Sequence, residues 1–83
     1  MPRNELLVYR ILRILRSKQV QFLDERQIIS AIHRESGDEF NDNIIHDHLH
    51  YMQSHGLLKP IKLKPRSHGY ALDWAGYDYL DAS

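Results

Sequence analysis

Residues 44–52, IIHDHLHYM, place three of the chain's six histidines at alternate positions. An imidazole can ligate a metal, take up a proton near neutral pH, or act as hydrogen-bond donor and acceptor. On a helix the three do not act together. His46 and His50 lie one turn apart and share a face. His48 sits roughly 200° from His46, on the side of Leu49 and Met52. An exposed i, i+4 pair can take zinc or nickel, but a structural zinc site needs four ligands. Asp47 lies off to one side, so the remainder would have to come from His55, His68 or a second subunit. Polar contacts to a base or a protein partner are the simpler reading of His46 and His50. No metal or cofactor is assigned. His48 reads as a partly buried ring, hydrogen-bonded to backbone or to an acid.

The other chemistry-bearing residues are charged, and they are segregated. The chain carries 11 Lys and Arg against 11 Asp and Glu, yet residues 1–18 sum to +4, residues 24–50 to −5, residues 59–66 to +4 and the tail from Asp73 to Asp81 to −3. Such blocks decide partner choice more than the net value does. With no cysteine there is no disulfide, thiolate metal site or cysteine nucleophile. No motif joins another nucleophile to a base, and a domain of 83 residues leaves little room for a cleft, so an enzyme is not expected. The longest fully apolar run is three residues, Leu6 to Val8, too short to span a membrane. No basic segment followed by a long apolar one opens the chain. A soluble, cytoplasmic protein is the expectation.

The elements that must position these residues follow from periodicity. Residues 4–18 predict an amphipathic helix with Val8, Ile11, Leu12, Ile14 and Leu15 on one broad face and Arg10, Arg13 and Arg16 opposite. Leu6 projects among the arginines, as a contact near the helix end or in a dimer. Residues 19–23 alternate and predict a short strand. Asp24 and Gln27 then form a variant capping box. Ile28, Ile29 and Ile32 supply the inner face of a second helix that stops at Gly37. A turn leads to Asn41 or Asp42 as the cap of a third helix, whose Ile45, Leu49 and Met52 form one stripe. Gly56 ends it. Residues 57–64 read as a strand interrupted by Pro60, residues 65–69 as a turn and residues 70–74 as a returning strand. Asp73 caps a short last helix. Trp74 is expected in the core or at the base of the hairpin, and Tyr9, Tyr51 and Tyr77 on the surface.

Two helices joined by a short turn and followed by a β-hairpin make a winged helix-turn-helix. The expected fold is therefore α+β, one domain over residues 1–83: a three-helix core, a two-stranded wing with a possible short third strand, and a short C-terminal helix.

Two resemblances support this. Ile45, His48, Leu49, Met52, Gly56, Leu57 and Leu58 resemble the third-helix pattern of bacterial winged-helix regulators. The segment from Leu72 through Asp73, Trp74, Gly76, Tyr77, Asp78, Tyr79, Leu80 and Asp81 to Ala82 is similar to the closing motif of a family of phage- and prophage-borne winged-helix proteins. Asp73 replaces that family's threonine and keeps its capping role, and Tyr77 replaces its histidine. The resemblance implies a regulator.

In a helix-turn-helix the second helix of the pair enters the major groove. Asn43, His46, Asp47 and His50 are then the candidates for base edges. Lys62, Lys64 and Arg66 of the wing are the candidates for phosphate, joined by Arg10 and Arg13 if their face lies on the same side. The expected partner is double-stranded DNA, bound by a monomer or a homodimer. Residues 38–50 oppose this, with four acids and no Lys or Arg, because non-specific DNA affinity comes from neutralised phosphates. The alternative is a winged helix that binds a protein partner. Protonation of His46 and His50, near ~6.5 for free histidine, would strengthen any DNA binding at low pH.

Overall fold

A computed structural model describes residues 2–18, 21–63 and 68–82. They form α1 (Glu5–Ser17), β1 (Leu23–Asp24), α2 (Glu25–Ser36), α3 (Asp42–Ser54), β2 (Leu58–Lys62), β3 (His68–Leu72) and α4 (Trp74–Ala82). The expected order of elements is the observed one, including the short third strand.

The local signals act where they stand. Asn4 caps α1 by accepting from the Leu7 N–H. At α2 the capping box is complete: Asp24 Oδ1 accepts from the Gln27 N–H at 2.7 Å, and Gln27 Oε1 accepts from the Asp24 N–H at 2.9 Å. Asn41, not Asp42, caps α3, accepting from the Ile44 N–H at 2.9 Å. At its other end Gly56, with φ at 74°, forms a Schellman turn. The Leu57 N–H reaches the Met52 carbonyl at 2.9 Å and the Gly56 N–H the Gln53 carbonyl at 3.2 Å.

The three strands form an antiparallel sheet in the order β1-β3-β2. Leu23 pairs with Tyr70, and Leu58 and Lys62 with Leu72 and His68. Because β3 is central, Gly69, Tyr70, Ala71 and Leu72 are all buried, in place of the simple alternation the sequence shows. The core is the apolar face of α1 (Leu7, Val8, Ile11, Leu12, Ile14, Leu15) against Ile28 and Ile32 of α2, Ile45, Leu49 and Met52 of α3, and Leu58, Tyr70 and Leu80. Helix α1 packs on α2, α3, α4 and β3, so it is the element around which the rest assemble.

Two expectations fail. Trp74 is 82% exposed: the strand ends at Leu72, and as the first residue of α4 Trp74 no longer shares the phase of Tyr70 and Leu72. Tyr51 is half-buried against the core. Its hydroxyl accepts from Arg3 at 3.1 Å, and the Arg3 guanidinium lies over both the Tyr51 and Tyr79 rings. Leu6 is exposed, and Tyr9 and Tyr77 are on the surface as expected.

Candidate nucleic-acid interface

His48 turns inward as its helical phase demands and is 2% exposed. Its Nδ1–H donates to the Ile44 carbonyl at 2.8 Å, and its Nε2 accepts the Asn4 N–H at 3.0 Å. The ring is thereby a neutral tautomer that ties α3 to the start of α1. His46 and His50 face the other way, with ring centroids 4.5 Å apart. The HDHLH stretch is thus one structural histidine and one surface pair.

That pair lines an open groove of about 1130 Å³ between α2, α3 and the sheet. Helix α3 contributes Asp42, His46, His50 and Gln53. Helix α2 contributes Glu25, Arg26, Ser30 and His33, together with Ile29, which also packs partly buried against the core. The sheet side supplies Pro60, Lys62, His68 and Tyr70. Of the sequence candidates, His46, His50 and Lys62 come together here. Asn43 and Asp47 are exposed on α3 but do not line the groove. Lys64 and Arg66 lie outside the described residues.

Arg10 and Arg13 are elsewhere. Arg10 bonds Ser36 and, at 3.0 Å, Glu39, while Arg13 pairs with Glu35. The positive block of α1 is spent on the negative block of α2 and the following turn. Arg16 likewise reaches Asp81 at 3.4 Å. Arg10 and Arg13 do not line this groove.

What the sequence reading missed is the α2 wall. The signal for it was present: once Asp24 is the cap, positions 25, 26, 30 and 33 lie along the polar side of the helix, with Ile29 at its border with the core. The groove combines three acids (Asp24, Glu25, Asp42), two permanent cations (Arg26, Lys62) and four of the six histidines (His33, His46, His50, His68). Its sign is therefore set by what the imidazoles carry. His46 Nδ1–H donates to Glu25 Oε1 at 2.9 Å. His33 faces the Gly37 carbonyl at 2.9 Å through Nδ1 and Asp42 at 2.7 Å through Nε2. Two acceptors favour the doubly protonated ring, so the Gly37 carbonyl, then Asp42, hold the His33 pKa above the ordinary histidine range.

No protein-family model and no curated protein sequence matches the chain. Solved structures do share its fold. The ferric uptake regulator from Francisella tularensis with iron superposes with a TM-score of 0.71 and 16% identity, over 89% of this chain and 55% of that one. A PadR family transcription regulator from hypervirulent Clostridium difficile R20291 superposes with a TM-score of 0.71 and 20% identity, over 92% of this chain and 80% of that one. The chain thus spans about half the length of the ferric uptake regulator. At these identities the likeness establishes the architecture: this is a winged helix-turn-helix.

Proposed function

We propose that the chain is a DNA-binding winged helix acting in transcription regulation, with residues 1–83 as one domain. Helix α3 enters the major groove and the β2–β3 hairpin lies on the flanking backbone. The observation that carries this reading is the placement of Lys62 on the sheet beside the His46 and His50 face of α3, in one groove. The likeness of the fold to two regulators supports it, and the closing motif at residues 72–82 supports a phage- or prophage-type regulator.

In this reading Asn43, His46, Asp47 and His50 meet base edges, and Lys62, Lys64 and Arg66 meet phosphate. Arg26, on the α2 side of the groove, is added to them. Arg10 and Arg13 are left out, since each would first have to release a glutamate. So few phosphate contacts give one copy modest affinity, and a homodimer doubles them. A fluorescence titration with random-sequence duplex at about 50 mM salt is the test. Binding that weakens steeply with added salt supports the proposal, and no binding at that salt removes it.

A second reading has its own observation. Phe22 and Tyr77 are exposed and line a shallow groove with Ile61 and Lys59 on another face of the molecule, and Trp74 stands in solvent. Aromatic residues so placed suit a protein partner. If duplex DNA does not bind, this face is where a partner would dock.

A further inference from the structure

The sequence places a histidine pair on α3 without a third ligand, and the fold supplies one. Glu25, the first residue of α2, comes from 21 positions upstream to hydrogen-bond His46. One ligand atom each from Glu25, His46 and His50 lie within 4.8 Å of one another. We propose that these three residues bind one divalent transition-metal ion of the zinc class.

The chemistry is suited to such an ion. Imidazole nitrogen with a carboxylate oxygen is a borderline donor set that favours zinc, nickel, cobalt or copper over calcium or magnesium. Two histidines and one glutamate also form a known zinc set that leaves a fourth position open. Tetrahedral ligands about 2.0–2.1 Å from zinc stand roughly 3.3 Å apart. The three groups must therefore close by at most about 1.5 Å. All three belong to side chains on the open groove.

Their backbones are already fixed. Glu25 follows the Asp24 cap, His46 follows Ile45 and His50 follows Leu49, and Ile45 and Leu49 are fully buried. Little stands in the way of the ion. The His46 proton shared with Glu25 is displaced, and among the described residues no hydrogen bond engages the His50 ring. His68 lines the same groove from β3. The site does not depend on DNA binding, and its test uses none.

The test is calorimetric titration of the untagged full chain with zinc chloride at about pH 7.5, since metal and proton compete for the same ligands. One ion per chain is expected. His46→Ala, His50→Ala and Glu25→Gln are each expected to weaken binding by at least about tenfold. His55→Ala, at the far end of α3, is expected to bind as the parent does. Circular dichroism of each variant confirms that these surface changes leave the fold intact. Absence of binding by the parent overturns the proposal. So does binding that survives His46→Ala or His50→Ala. Loss with either histidine variant but not with Glu25→Gln also overturns it, because the site would then be the histidine pair alone.

Discussion

His48 and His33 show how little residue type says without position. His48 satisfies a backbone N–H of one helix with a ring carried by another. Replacing it with leucine keeps most of the volume but leaves the Asn4 N–H without its acceptor. His48→Leu is expected to lower stability by about 1–3 kcal/mol, read as a lower urea midpoint with an unchanged slope. His33 is the opposite case, a surface ring held by two oxygens. Its folded-state pKa is raised by the Gly37 carbonyl and then Asp42. The stability it contributes is therefore fully present below its unfolded value, near ~6.5, and is lost as pH rises through the folded value. His33→Gln is expected to lower the thermal midpoint at about pH 5.5 and to matter much less at about pH 8. An equal drop at both would show that the ring stabilises by contact rather than by charge.

At the scale of elements, local chemistry decided most of the outcome. Caps, stop signals and apolar stripes are short-range, so the bounds of α1, α2, α3 and α4 were legible in the order of residues. The errors came from contacts distant in sequence. Burial of β3 needs β1 and β2 along its two edges and α1 and α2 packed on it. Tyr51 is covered by Arg3, from 48 positions upstream. The α2 wall of the groove becomes a wall only when α2 packs on α3. Helix α4 shows the same dependence. A Cβ on Gly76 would stand 2.3 Å from the Leu57 carbonyl oxygen, so α4 crosses the corner between α3 and β2 at glycine distance. Gly76→Ala must push α4 off that corner. It is expected to cost about 1–3 kcal/mol despite alanine's better helix propensity, and denaturant unfolding would show it. A neutral or stabilising result would mean that α4 shifts freely.

Across the whole molecule, the positive block of α1 is paired off within the fold. Arg10, Arg13 and Arg16 meet Glu39, Glu35 and Asp81, so α1 does not add its charge to the groove. With neutral imidazoles the groove holds one more acid than cation, a poor surface for phosphate. A zinc ion at Glu25, His46 and His50 would reverse that balance. If α3 reads DNA, zinc at a saturating level is expected to tighten duplex binding severalfold, measured by fluorescence anisotropy with and without a chelator. Unchanged affinity would separate the metal site from DNA binding. Tighter binding in parent but not in Glu25→Gln would join them.

The sheet has two open edges, and both are poor templates for another chain. Strand β1 is two residues long, and β2 presents Lys59, Pro60 and Lys62. Proline has no N–H to offer a neighbouring strand, and lysines repel a second copy of the same edge. Pro60 therefore guards a small, net-neutral protein against edge-to-edge aggregation, a hazard that its lack of overall charge would otherwise sharpen. Pro60→Val is expected to remain folded yet scatter light increasingly with concentration and time. A variant that stays as clear as the parent would assign that protection to the lysines alone.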